Sequence, residues 1–170
     1  MAYCMSSTLA TRAEAFDFAA IGLVAGAAVH LAAWLGGPRW MAALGAPPSI
    51  VASAAAGSWP ALLGTLAIAA LLIGLALCCF LAARRTVRSA LLRPILTFVA
   101  VIFLARGLLV VPFVVTGQRQ WQTPIGKIIV SGDWFAAGSL VVLALGALMA
   151  LGVYQTRSQR GPYISAAPSG

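Results

Sequence analysis

Long uninterrupted runs of apolar residues dominate the chain, and four of them are long enough to cross a bilayer: 16–35, 60–83, 95–115 and 134–154. The hydrocarbon layer of a bilayer is about 30 Å thick, and a helix rising about 1.5 Å per residue needs about 20 apolar residues to cross it. The runs are continuous rather than alternating, and lipid offers no partners to open backbone groups, which favours helices over barrel strands. The pattern predicts an all-α bundle of four transmembrane helices.

The polar segments divide the rest of the chain. We expect loosely ordered tails at 1–13 and 157–170, on either side of a four-helix transmembrane domain at 14–156. The first apolar run is longer than that of a usual secretory signal and starts with acidic residues, so it is expected to remain as an uncleaved anchor. A long outer connection between helices one and two is rich in Gly, Pro and Trp, which predicts short helices lying on the membrane surface.

Composition excludes a soluble globular domain. The chain has 170 residues, of which 62% are hydrophobic and 8% charged. A domain of this size leaves much of its surface exposed, so an interior of its own cannot cover so many apolar side chains.

The net charge of +8 is informative about the orientation of the chain in the membrane rather than about a nucleic-acid partner. Seven of the eleven basic residues lie before helix one, between helices two and three, or after helix four; the middle group is Arg84, Arg85, Arg88 and Arg93. By the positive-inside rule this predicts cytoplasmic anchors, with both termini cytoplasmic. Basic residues beside membrane spans ordinarily set topology, so we expect membrane lipids, and no nucleic acid, as partners.

Helix one carries a lone histidine within an apolar segment. Gly22, Gly26 and His30 are spaced by four residues and so share one helix face. Gly22 and Gly26 form a GxxxG pair, which lets another helix approach closely, and His30 is therefore expected to face the bundle. It is either a ligand or proton carrier, or a neutral side chain making one hydrogen bond between helices.

Arg106 is stronger evidence of a polar site than His30, because placing a charge near mid-bilayer costs about 2.5 to 3.5 kcal/mol on insertion scales. Pro112 removes a backbone hydrogen bond two turns later and is expected to kink helix three and open a pocket. Asp133, at the outer start of helix four, is the candidate counter-ion. The sequence thus predicts a polar cluster of His30, Arg106 and Asp133, in which Arg106 either binds an anion or is a structural arginine reaching outward.

Several kinds of chemistry lack residues to support them. Cys4, Cys78 and Cys79 give neither a disulfide framework nor metal-ligand spacing, and no cluster of His, Cys and acidic residues predicts a metal. No nucleophile elbow, phosphate loop or dinucleotide fingerprint is present, so we predict no catalytic residues and no cofactor.

Three stretches carry a resemblance: H-L-A-A-W-L-G-G-P-R-W at 30–40, L-G-A-P-P at 44–48 and L-A-R-G-L-L-V-V-P at 104–112. In them the chain resembles a family of uncharacterised small bacterial four-helix integral membrane proteins. The resemblance implies a four-span inner-membrane bundle and transfers no activity.

Two hypotheses for function follow. The first is a non-enzymatic structural or accessory membrane protein that assembles into a homo-oligomer or a membrane-protein complex. The second is a small transporter or a lipid- or anion-binding protein that uses the intramembrane Arg106 and His30. An enzyme is the less favoured interpretation, since no nucleophile or metal set is found.

Overall fold

A computed structural model gives the fold and describes residues 2–84, 89–117, 120–123, 126–129 and 134–158. Its elements in chain order are α1 (Ala2–Leu35), α2 (Pro38–Ala43), α3 (Pro48–Ala55), α4 (Trp59–Arg84), α5 (Ser89–Leu108), α6 (Val110–Thr116), β1 (Gln120–Thr123), β2 (Gly126–Ile129) and α7 (Phe135–Ser158).

Four helical segments are long and apolar enough to cross a membrane. They are Ala13–Leu35, Trp59–Arg84, Leu92–Thr116 and Phe135–Gln155, with mean hydropathies between 1.9 and 2.8. The predicted all-α, four-helix fold is confirmed, and these segments fit a small multi-pass membrane protein. One small antiparallel hairpin is added to it, in which Gln120 pairs with Ile129 and Thr123 with Gly126.

Helix α1 begins earlier than the sequence predicted. The N-terminal tail was expected to be loosely ordered, but the described backbone is helical from Ala2. Residues 1–13 contain no Gly or Pro and include several good helix formers such as Ala, Leu and Met, so nothing in them interrupts the helix. The predicted C-terminal tail lies largely outside the described residues.

The third span is two helices rather than one. Helix α5 ends at Leu108 and α6 begins at Val110. Pro112 has no N–H to donate to the Leu108 carbonyl, and its ring crowds that carbonyl, so the helix breaks within the preceding turn. The Thr116 hydroxyl donates to the Pro112 carbonyl at 2.7 Å. The interruption lies where the sequence predicted a kink.

The bundle has two chemically different ends. We call the end with residues 36–58 and the hairpin the loop end, and the end with Ala13, Arg84 and Gln155 the arginine end. Four tryptophans at the loop end are exposed: Trp34, Trp40, Trp59 and Trp134. Such amphipathic rings favour the headgroup level of a bilayer.

Two short helices, α2 and α3, form most of the connection between α1 and α4 at the loop end. Helices α2 and α3 pack on α1 and α4 through a small cluster of Ala33, Met41 and Ala61, each at most 6% exposed. Gly37 and Gly57 follow α1 and α3 with φ of 85° and 62°, a backbone conformation that favours glycine after a helix end. This connection therefore fixes the position of α1 relative to α4.

The helices pack in two pairs. Helix α1 packs most extensively against α4, and α5 against α7, while α1 and α7 join the pairs. Helices α4 and α5 are joined by a short connection but make few contacts. The bundle is therefore two antiparallel hairpin-like halves, one of α1 and α4 and one of α5, α6 and α7.

Candidate functional site: an arginine in a cleft between helix pairs

The four spans share one core only in the half of the bundle toward the arginine end. Leu23, Cys79, Leu96 and Met149, one from each span, are at most 1% exposed and belong to a single cluster. The remaining members of that cluster lie at the same level, within residues 16–23, 75–79, 96–100 and 145–153. The two pairs are thus held together at one end.

Toward the loop end, the shared core does not continue. Seven residues make almost two whole helical turns and return to nearly the same helix face. Leu23 and Leu145 are buried, whereas His30 and Gly138, seven residues nearer the loop end on the same faces, are exposed. A Cβ added at Gly138 would meet nothing within 4 Å. Along these two lines, burial in the shared core does not continue toward the loop end.

The third span shows the same change from buried to exposed positions, at Arg106. Arg106 lies seven residues beyond Val99, which packs on the shared core, yet Arg106 itself is exposed. His30, Arg106 and Gly138 thus continue three core-facing lines as exposed positions, one each on α1, α5 and α7. We call the region at these three residues the cleft.

Two side chains of α7 hold the Arg106 guanidinium. Nη1 donates to Ser139 Oγ at 3.0 Å, and Cζ lies 4.8 Å from the centroid of the Phe135 ring. Ser139 and Phe135 are one helical turn apart and so share a face of α7. Ser139 is completely buried, which fixes the position of its hydroxyl. The contact joins the third and fourth spans near their loop-end halves.

Glycine lets α5 and α7 approach closely enough for this contact. Gly107 is buried, and a Cβ there would lie 2.6 Å from Leu143 Cβ and 2.7 Å from Leu143 Cα. A Cβ on Gly146 would lie 2.9 Å from the Leu104 backbone nitrogen. Real Cβ atoms do not approach backbone so closely, so both positions require a residue without a side chain.

The predicted GxxxG pair on α1 contacts two different helices. A Cβ on Gly22 would collide with the Leu145 side chain of α7, whereas one on Gly26 would make an ordinary contact with Leu72 of α4 at 3.6 Å. Gly152 is a further close contact of α1 with α7, since the Phe16 ring would lie 2.7 Å from a Cβ there.

The structure brings the predicted cluster only partly together. Within the described part of the chain, no hydrogen bond or ion pair joins His30 to Arg106. Asp133, the predicted counter-ion, lies outside the described residues. Ser139 and Phe135 were missed by the sequence analysis, although Ser139 is the sole serine or threonine in 135–154 and could have been noticed as a polar residue in an apolar run.

At the arginine end, α1 and α4 carry an ion pair. Arg84 Nη2 lies 3.9 Å from Asp17 Oδ1, and Arg84 Cζ lies 4.8 Å from the Phe80 ring centroid. Both side chains are partly exposed, so the pair contributes at most about 1 kcal/mol. Arg93 is half-buried on α5, and Arg85 and Arg88 lie outside the described residues.

Metal ligands do not assemble in the part of the chain that can be described: it contains no group of three or more His, Cys, Asp or Glu side chains able to hold an ion. Cys79 is buried in the shared core and Cys78 lies partly buried beside it, both as free thiols.

No protein-family model, curated protein or solved structure matches the chain.

Proposed function

We propose that this chain is a small non-enzymatic membrane protein that binds an anionic group at Arg106, inside the cleft. The group is a phosphate, sulfate or carboxylate, carried by a lipid, by another amphiphile or by a free solute. The observation that supports this most directly is that Arg106 is exposed in the cleft while its described contacts, Ser139 and Phe135, are both neutral.

The electrostatics favour an anion at this position. A guanidinium stays protonated and is costly in a membrane unless its charge is compensated. A serine hydroxyl and an aromatic face satisfy one donor and part of the charge, and further N–H donors remain for a ligand. Of the three acidic residues in the chain, Glu14 and Asp17 lie at the far end of the bundle, and Asp133 lies outside the described residues.

A ligand at Arg106 needs open space beside it, and a Cβ at Gly138 would meet nothing within 4 Å. An acyl or alkyl chain of the ligand would extend from the anionic group along this exposed region. His30 is exposed on α1 in the same half of the bundle, and its imidazole can donate or accept one hydrogen bond. The arrangement suits an amphiphile that enters from the lipid.

The experiment measures binding of dodecyl phosphate by native mass spectrometry of the full-length protein in a neutral detergent. Wild type and Arg106→Lys should bind it, and Arg106→Gln should bind at least about tenfold more weakly, since a charge-assisted hydrogen bond contributes about 1.5 to 3 kcal/mol. Equal competition by inorganic phosphate would identify a free anion as the ligand. No competition would identify an amphiphile.

Asp133→Asn tests the competing interpretation. If Asp133 only neutralises Arg106, both Asp133→Asn and Arg106→Gln should lower the unfolding temperature by a similar amount, and wild type should not bind dodecyl phosphate. That result would reject anion binding in favour of a structural arginine.

A structural or accessory role within an assembly is the second candidate, and one observation favours it. Ala70 and Gly74 form an exposed line of small residues on α4, and a Cβ at Gly74 would meet nothing within 4 Å. Small residues of this kind allow close helix association in lipid. Disulfide cross-linking through Gly74→Cys, with Gly138→Cys as control, would distinguish self-association on this face from contact through the cleft.

We further propose an inner-membrane location with both termini cytoplasmic. Support comes from the clustering of Arg84, Arg85, Arg88 and Arg93 in one connection, and from the resemblance to small bacterial four-helix membrane proteins. In a background without the native cysteines, Arg88→Cys and Arg119→Cys should react with an impermeant thiol reagent from opposite sides. Labelling from the same side would reject this orientation.

A further inference from the structure

A groove runs along the outer surface between α5 and α7, in the half of the bundle toward the arginine end. Small and apolar side chains from both helices line it, among them Ala100, Leu104 and Ala150. Its cavity volume is about 160 Å³. It adjoins a second hollow along α5 that includes Arg93 and Phe98, and the two share Thr97 and Val101.

The close approach at Gly146 explains why the groove begins where it does. Backbone of α5 lies against Gly146 at Leu104, and from there toward the arginine end the small side chains Ala100 and Ala150 leave the surface indented. The Thr97 hydroxyl donates its hydrogen bond to the Arg93 carbonyl of the same helix at 2.8 Å. Its hydrogen is therefore not directed into the groove. The wall that Thr97 presents is therefore largely apolar.

The groove and its adjoining hollow together match one leaflet in length. Arg93 and Leu104 are eleven residues apart, which is about 16 Å along a helix. Half of a hydrocarbon layer about 30 Å thick is about 15 Å. Leu104 is the central residue of the candidate span Leu92–Thr116, so a lipid whose phosphate contacts Arg93 can extend one acyl chain along the hollow and the groove to mid-span.

The end of the groove carries a positive charge, and no acidic side chain among the described lining residues neutralises it. Arg93 is the charged residue among the described residues that line the groove and its adjoining hollow, and no carboxylate is among them. Tyr154 also lines the groove and is 70% exposed, which places an amphipathic ring beside the same region. A guanidinium next to an apolar channel is complementary to a phosphate next to an acyl chain.

We propose that this groove is a binding site for an anionic phospholipid, with one acyl chain between α5 and α7 and the headgroup phosphate at Arg93. The site is separate from the cleft, because Arg106 does not line the groove and α5 carries the two arginines at opposite ends. It does not depend on the proposed function of Arg106.

Native mass spectrometry of the full-length protein, titrated with phosphatidylglycerol or with phosphatidylcholine of the same acyl chains, tests the proposal. Wild type and Arg93→Lys should bind phosphatidylglycerol at least about fivefold more tightly than phosphatidylcholine. Arg93→Gln should remove that preference. Arg84→Gln, at the same end but paired with Asp17 outside the groove, should keep it.

Ala150→Leu is the second variant, and it changes no charge. It places a larger apolar side chain in the groove at a partly buried position, so it should weaken binding of both lipids, and its helix content by circular dichroism, compared with wild type, checks that it folds. The proposal is overturned if Arg93→Gln retains the preference, if Arg84→Gln loses as much of it, or if Ala150→Leu binds both lipids like wild type. Arg106→Gln should leave this binding unchanged, so failure of the cleft hypothesis is seen separately.

Discussion

Gly107→Ala tests the claim that close contact between α5 and α7 positions Arg106. The added Cβ would lie 2.6 Å from Leu143 Cβ and 2.7 Å from Leu143 Cα. Carbon atoms in ordinary contact are about 3.5 to 4 Å apart, so the helices must move apart locally by about 1 Å. Leu143 Cα is backbone, and a change of side-chain rotamer cannot relieve the contact.

The expected destabilisation is about 1 kcal/mol and at most about 2.5 kcal/mol. Overpacking typically costs about 1 to 3 kcal/mol, and the better helix propensity of alanine over glycine offsets about 0.5 to 1 kcal/mol of it. The same displacement acts on the neighbouring residue: the Arg106 Nη1 to Ser139 Oγ distance of 3.0 Å would lengthen beyond hydrogen-bond range. We therefore expect lower stability together with weaker dodecyl phosphate binding.

Gly138→Ala is the matched control, because it lies on α7 and its Cβ would meet nothing within 4 Å. The assay is reversible unfolding in mixed detergent micelles, followed by circular dichroism, with phosphate binding measured on the same samples. Gly138→Ala should be as stable as wild type or slightly more stable. Equal stability of Gly107→Ala and Gly138→Ala would refute the packing argument, since only the first has a neighbour to displace.

Two further predictions concern the loop end. Ser53→Ala should lower the free energy of unfolding by about 1 kcal/mol, because Ser53 Oγ accepts a hydrogen bond from the backbone N–H of Ala61, in the first turn of α4, at 3.1 Å. The control is Ser49→Ala, which changes an exposed serine of α3. An equal loss of stability in both variants would contradict a capping role for Ser53. Pro112→Ala should restore the hydrogen bond to the Leu108 carbonyl and join α5 to α6, so spin labels at Phe98 and Val115, both exposed, should move to about 26 Å apart along a straight helix. An unchanged label distance between wild type and Pro112→Ala would show that the proline does not cause the break.

The amino-acid sequence by itself determined the number and nature of the spans, because lipid requires about 20 consecutive apolar residues in a structure that satisfies its own backbone. The interruption of the third span was also predictable, since Pro112 acts through its own missing N–H and ring. Likewise, Asp17 and Arg84 lie on the same side of the membrane by span counting alone, and the structure pairs them.

Only the tertiary structure decided which helices pack together. In lipid, helices are apolar on every face, so hydrophobicity does not indicate which face meets which neighbour, and helix association depends on shape. The short connection between α4 and α5 predicts adjacency, yet α5 packs mainly on α7 because Gly107 and Gly146 allow close approach there. That choice gives Arg106 its contacts with Ser139 and Phe135, and leaves His30 exposed on α1.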